Sequence, residues 1–248
     1  ARIQLLTMHH NAGVGHIGGN LSSLDIMLFL YHCLMEPQDV FVLSKGHSAG
    51  ALYITLWSRG LLSDEELTTF HADGSRLPGH PAPGQFKDIP IATGSLGHGL
   101  AWGVGISLGI KRKSIDANVY VLLGDGECDE GQVWEAVMSA VHHEISNLKV
   151  IVDRNRIQND DFCEAQMRIF DVSEKFASFG WAVMEIDGHD MDQIVNAIDW
   201  ADQVMAGPAC IVMHTIKGKG VSFMENNPKF HGAAPSDEQF ELAMEELS

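Results

Sequence analysis

From residue 119 onward, short apolar runs alternate regularly with stretches of helical periodicity, and this most constrains the fold. The runs are Val119–Leu123, Leu148–Val152, Ala182–Ile186 and Ala209–Met213. Between them lie the helical patterns Val133–His143, Lys175–Phe179 and Met191–Val204. Each run is too short for a buried helix and is rich in β-branched residues, so it reads as a strand buried on both faces. Strands that alternate with helices pair in parallel, since each crossover returns the chain to the same end of the sheet. The expected fold class is therefore α/β, a parallel sheet flanked by helices on both faces. Asp39–Leu43 (DVFVL) reads as one earlier strand.

Helices are expected over Ala1–His10, Ala49–Arg59 and Leu96–Ile110, the last full of small residues that imply close packing. Three more carry N-terminal signals: Ser22 with Asp25, Ser63 with Glu66, and Ser236 with Gln239, the last helix running to Leu247. In each, a side-chain oxygen followed three residues later by Asp, Glu or Gln suits a capped helix start. Residues 71–93 hold Gly74, Pro78, Gly79, Pro81, Pro83, Gly84 and Pro90. A connection that long in a compact domain is usually functional. No repeat or second domain is marked, so residues 1–248 are expected to form one domain.

Of the 248 residues, 45% are hydrophobic, enough for a sizeable core. The formal charge of −17 excludes non-specific nucleic-acid binding and is the wrong sign for an anionic membrane surface. The apolar stretch Gly99–Ile110 is too short to span a bilayer. Cys33, Cys128, Cys163 and Cys210 form no CxxC pair, so reduced, buried thiols and a cytoplasmic location are expected. The N-terminus shows no signal-peptide pattern. Since it is Ala1 rather than Met, the natural start is expected upstream.

In open parallel sheets ligands bind at the carboxyl ends of the strands. Gly124-Asp125-Gly126-Glu127 follows one strand, and Asp153-Arg154-Asn155 closes the next, one strand–helix–strand unit later. If these strands are neighbours, the Asp125 carboxylate and the Asn155 amide oxygen converge. Hard oxygen donors of this kind suit Mg²⁺, with Ca²⁺ or Mn²⁺ as alternatives, and Mg²⁺ keeps positions open for phosphate oxygens. A lone GDG is more often only a tight turn. Its conjunction with an apolar strand, a helix and a second strand ending in Asn is the specific feature.

That conjunction resembles the binding motif of thiamine-diphosphate enzymes. Other segments narrow the resemblance to the diphosphate-binding domain of transketolases: Gly15-His16, Lys45-Gly46-His47, Pro78-Gly79-His80-Pro81, Thr93–Gly97 and His231-Gly232. It covers essentially the whole chain, and Thr215–His231 looks like stand-alone N-terminal transketolase subunits. The resemblance implies Asp125, Asn155 and the Ile157 carbonyl as metal ligands, and the Gly126 N–H as a donor to the diphosphate. It implies Gly94, Ser95 and Leu96 along the thiazolium or pyrimidine side of thiamine diphosphate. His16, His47, His80 and His231 would ring substrate and diphosphate, with His47 and His231 also touching the cofactor. Glu130 resembles the acidic residue that links paired active sites, and Glu127 a residue just behind the cofactor.

The resemblance implies an enzyme that moves a two-carbon ketol unit from a ketose to an aldose. It also implies a separate C-terminal, pyrimidine-binding chain, in an α2β2 assembly, because the glutamate that activates the cofactor lies outside this domain. Leu96–Ile110 and Gln132–His143 are expected interface elements. Departures from the family pattern are Ile17 for a proline, His98 for a glutamine, and Lys217 and Lys219 in a usually more apolar turn. Those lysines either neutralise phosphate or are solvated surface residues. The adjacent pairs His9-His10 and His142-His143 are expected to point apart, and His71, His189 and His214 to be structural.

Other readings stay open on the residues alone. They are a subunit of a 2-oxo-acid dehydrogenase, a deoxyxylulose-phosphate synthase fragment, or a non-catalytic cofactor-binding subunit. A nicotinamide-binding domain is weak because no GxGxxG follows the first strand.

Overall fold

The structure, a computed structural model, describes all residues except 160 and 170. Its centre is a parallel sheet of five strands: β1 (Val40–Leu43), β2 (Val119–Gly124), β3 (Leu148–Arg154), β4 (Ala182–Asp187) and β5 (Ala209–His214), in the spatial order β1-β2-β3-β5-β4. Alternate β2 side chains enter different cores: Tyr120 and Leu122 one, Val119, Val121 and Leu123 the other. On the first face pack α1 (Arg2–Ala12), α2 (Ile17–Phe29) and α3 (Ala49–Ser58). On the second pack α4 (His98–Arg112), α5 (Gly131–His142) and α6 (Val172–Ser178). The helices α7 (Met191–Asp202) and α8 (Asp237–Leu247) return to the first face through Ile194, Ile198 and Ala243. A parallel sheet with helices on both faces is thus the observed class.

The register sets the site. Gly124 of β2 lies opposite Asp153 of β3, and the Asp125 amide extends the ladder to the Asp153 carbonyl at 3.3 Å. The strands therefore end level, and the turns after them share one edge of the sheet.

The helix assigned to a Ser22 cap needs correction. α2 begins at Ile17 after His16, whose backbone is left-handed (φ 67°). Ser22 and Ser23 lie buried inside it and donate back to the Gly19 carbonyl. Gly18 and Gly19 lower local helix propensity and hide the start, but close packing on this turn overrides propensity. The Ser63–Glu66 and Ser236–Gln239 capping boxes are both formed. Residues 71–93 contain no helix or strand.

All four cysteines are free, but only Cys128 and Cys210 are buried; Cys33 is exposed and Cys163 half-buried. His9 and His10 do point apart, toward Phe70 and Phe240. His142 and His143 do not: their rings meet at 4.9 Å, since His143 caps the end of α5 rather than continuing it. Among the described residues, no helix is long and apolar enough to cross a membrane.

Candidate active site

Asp125 and Asn155 follow the neighbouring strands β2 and β3, and both line one cavity with Ile157. The Asn155 amide is oriented from behind. Its Nδ2 donates to Asp153 Oδ2 (3.1 Å) and Ser22 Oγ (3.4 Å), while its Oδ1 accepts the Ile157 N–H (3.2 Å). A carboxylate only accepts, so these bonds fix which end of the amide is oxygen. Asp125 is held by the Arg156 and Gly126 amides.

The chemistry of this donor set fits a hard divalent cation: one carboxylate, one amide oxygen and one backbone carbonyl. Burial, then the Asp153 carboxylate, push Asp125 up to about 6, the environment that a bound cation would reverse. The Ile157 carbonyl already accepts a cationic hydrogen bond, from Lys217 Nζ at 2.7 Å. Among the described residues no three His, Cys, Asp or Glu side chains cluster as a metal site, so an amide and a carbonyl would complete this one.

Asp153 is completely buried and organises the region. Its carboxylate pairs with the equally buried Lys45 ammonium and accepts from Thr215 and Ser22. Burial alone would raise its pKa, but Lys45 and the hydroxyl donors outweigh burial and hold it below the usual carboxylate range.

The four histidines converge on His16. Its ring centroid lies 5.3 Å from His47, 6.1 Å from His80 and 5.1 Å from His231. The His16 N–H donates to the His231 carbonyl at 2.7 Å. The neighbouring glycines permit this convergence. A Cβ on Gly15 would lie 2.5 Å from the Gly232 carbonyl oxygen, and one on Gly46 would lie 2.3 Å from that of Thr93. Burial, then His80 and Lys217, bring His16 down to about 4; burial, then Lys217, bring His231 down to about 3. Burial also holds His47 well below its ordinary value. In this state these three imidazoles are neutral at pH 7, able to accept one proton and donate another.

Glu127 lines the cavity, but its carboxylate is occupied. It accepts from the Gly97 N–H (2.8 Å), the Gly124 N–H (3.0 Å) and the Ser44 hydroxyl, tying the 94–97 loop to the ends of β1 and β2. Gly94 and Leu96 line the cavity; Ser95 and Glu130 are exposed and lie outside it. Glu130 caps α5, with its Cβ beside Gly97. The Gly126 N–H, expected to face a diphosphate, donates instead to Asp125 Oδ1 at 2.8 Å.

Lys217 is buried, lines the cavity, and reaches both Ile157 and His231 Nδ1, each at 2.7 Å. Lys219 is a third exposed and lies outside, so the two lysines take opposite roles. Burial, then Lys45, bring Lys217 down to about 8. The sequence pattern does not single out Lys45, Asp153, Gln158 or Asn159. Lys45 stands inside the Lys-Gly-His segment, a usable sign. Nothing local marks Asp153, whose importance comes from partners far along the chain.

The family described as transketolase, thiamine diphosphate binding domain, matches residues 2–248. One of the two chains of the apulose-4-phosphate transketolase of Phocaeicola vulgatus is 39% identical, over 100% of this chain and 91% of that protein. A 6-deoxy-6-sulfo-D-fructose transketolase subunit of a Clostridium species is 37% identical, over 95% and 89%. The solved transketolase of Campylobacter jejuni superposes with a TM-score of 0.90 at 31% identity, covering 98% of this chain and 41% of that one. Human transketolase is 34% identical over 99% of this chain and 40% of its own length, so the chain spans about two-fifths of single-chain transketolases. Together with the parallel sheet, these matches place the chain in the transketolase family, as its thiamine-diphosphate-binding domain.

Proposed function

We propose that this chain is the diphosphate-binding subunit of a two-chain transketolase, moving a two-carbon ketol unit from a ketose donor to an aldose acceptor. The observation that carries the reading is the convergence of Asp125, Asn155 and the Ile157 carbonyl in a cavity that also holds four histidines. These three groups would hold one divalent cation, Mg²⁺ or in its place Ca²⁺ or Mn²⁺. When bound, thiamine diphosphate supplies the carbon nucleophile for the ketose carbonyl, and the metal neutralises its diphosphate.

The chain's own residues do the rest. Lys217 and His47 face the diphosphate end, while Gly94 and Leu96 give the wall along the rings. His16, His80 and His231 bind sugar hydroxyls, and a neutral imidazole among them takes the hydroxyl proton as the carbon–carbon bond breaks. Glu127 fixes the 94–97 loop. Ser95 and Glu130, outside the cavity, suit contacts completed by a second chain, Glu130 as the acidic link between paired sites.

The partner is a pyrimidine-binding chain, in an α2β2 assembly. The relatives from Phocaeicola and Clostridium are each named as one subunit of a transketolase, which supports a partner, as does the two-fifths coverage of single-chain relatives. Phosphorylated or sulfonated sugars, the substrate classes in the relatives' names, are the donors to test first. Free thiols suit the reducing cytoplasm.

Calorimetric titration tests the site: thiamine diphosphate should bind with Mg²⁺ and lose that metal dependence in Asp125→Ala and Asn155→Ala. Ketose–aldose exchange should appear only on co-expression with a pyrimidine-domain transketolase chain. Exchange by this chain alone, or pyruvate decarboxylation by the pair, would refute the reading.

A further inference from the structure

Lys217 sits on a turn held from outside the cavity, by a carboxylate that never touches it. Asp25 of α2 is largely buried and accepts both Arg2 Nη2 contacts, at 2.9 and 2.7 Å, and the His189 Nδ1 contact at 2.8 Å. Each partner then grips the main chain on one side of Lys217. His189 Nε2 accepts the Ile216 N–H at 3.0 Å, and Arg2 Nε donates to the Lys219 carbonyl at 3.3 Å. A backbone N–H can only donate, so His189 Nε2 is unprotonated and Nδ1–H is the donor to Asp25. The imidazole thus carries one fixed tautomer, set between a carboxylate and a peptide group. His189 is itself anchored by its own amide on Asp187 Oδ1 at 2.9 Å.

The turn needs such holding. Gly218 and Gly220 are both left-handed, at φ 83° and 96°, so the backbone around Lys217 has unusual freedom. The Gly218 N–H reaches the Gly18 carbonyl at 3.0 Å, and the Lys217 stem packs beside Gly18. A swing of this turn would take the ammonium off the Ile157 carbonyl, where it faces the metal and diphosphate end.

We propose that Asp25, acting through His189 and Arg2, is a positioning residue that sets the cavity's affinity for the diphosphate end of its ligand by fixing the turn that carries Lys217. This rests on the reading of the cavity as a diphosphate site.

The test is a set of thiamine diphosphate titrations with Mg²⁺ on the full chain, starting from the unmodified protein. Absence of binding there overturns the site reading, and the positioning role with it. Given binding, His189→Asn keeps an N–H near Nδ1 for Asp25 and removes the acceptor of the Ile216 N–H. It should weaken binding about tenfold, the scale of one lost hydrogen bond. His189→Gln places an oxygen near the Nε2 position and should restore affinity to within about threefold. In a Lys217→Met background His189→Asn should add nothing, since its effect runs through that ammonium. Arg2→Met, on the partly exposed arm, should give a smaller loss with the same non-additivity, and it serves if His189→Asn fails to fold. Additive losses in the Lys217→Met background, or unchanged affinity in folded His189→Asn and Arg2→Met, would overturn the proposal.

Discussion

The ammonium of Lys217 rests on the backbone carbonyl of Ile157, 2.7 Å away, in a side chain only 2% exposed. A buried cation on the carbonyl expected to coordinate a metal gives that end of the cavity positive charge before any ligand arrives. Lys217→Met should therefore raise the dissociation constant for thiamine diphosphate by about ten- to a hundredfold, the range of one or two charge-assisted hydrogen bonds. Lys217→Arg should recover little, because a planar fork does not fit where a point charge meets one carbonyl and one imidazole. Isothermal titration at fixed Mg²⁺ gives the comparison, and equal affinity in Lys217→Met would contradict it.

The Lys45–Asp153 pair should behave as a structural unit. Both groups are essentially inaccessible. Removing one leaves a buried charge without its partner, which typically costs about 3–5 kcal/mol. Lys45→Met is expected to lower the denaturation midpoint sharply. Adding Asp153→Leu should recover part of that loss, while metal-dependent cofactor binding stays impaired, because Asn155 Nδ2 loses the acceptor that orients it. Urea unfolding of the two single variants and the double variant reads the first effect, and titration the second.

Sheet, strand order and cavity position are legible in the sequence to different depths. The strands are plain because each is a short apolar run buried on both faces, and the Asp125–Asn155 convergence follows once β2 and β3 are neighbours. The start of α2 is hidden because Gly18 and Gly19 are chosen for contacts with the Lys217 and His47 regions, not for helix propensity. Asp153 is hidden for a related reason: Lys45, Ser22 and Thr215 meet it from three separate segments. The split between Lys217 and Lys219 also needs three dimensions, since both belong to one short glycine-rich turn. Glu127 shows the limit of motif reading. Its position after Gly-Asp-Gly points to the cofactor, yet its oxygens are spent on Ser44, Gly97 and Gly124.

Stability should fall in acid through His9. This imidazole is 1% exposed, packs on Phe70, and leaves Nε2 without a partner. Burial, opposed by the Val14 and Gly15 carbonyls, brings it from 6.5 down to about 4. The folded pKa lies below the unfolded one, so the unfolded chain binds the extra proton between them. The stabilisation is complete above 6.5 and is lost as pH falls toward 4, on the order of 3 kcal/mol for a shift of this size. His16 and His231 act in the same direction, so the full chain loses stability steeply over this window. His9→Phe should remove one proton's worth of that slope, about 1.4 kcal/mol per pH unit at most, read from urea midpoints at pH 7.5, 6 and 5. An unchanged slope would show that His9 stays neutral in the unfolded chain too, or is charged in the folded one.

The two faces of α4 should respond oppositely to the same small change. On the inner face, a Cβ on Gly103 would lie 2.4 Å from Val121 Cγ2, in the fully buried centre of β2. Neither the strand nor the helix has room to shift, so Gly103→Ala should destabilise the chain by about 1–3 kcal/mol through overpacking. On the outer face, a Cβ on Gly105 meets nothing within 4 Å, and Trp102 nearby is 55% exposed. Gly105→Ala should therefore stabilise the isolated chain by about 0.5–1 kcal/mol, the helix propensity that glycine gives up. A helix that keeps a flat, glycine-lined face at that cost, beside an exposed tryptophan, is suited to close contact with another protein surface. If α4 meets the pyrimidine-binding chain, Gly105→Leu should leave this chain folded, with thermal stability no lower than wild type. It should also weaken its assembly with the co-expressed partner by tenfold or more, about 1.4 kcal/mol. Sedimentation of the mixed chains measures assembly directly. Undiminished pairing in a folded Gly105→Leu variant would move the interface away from this face of α4, and onto the exposed segment around Ser95 and Glu130.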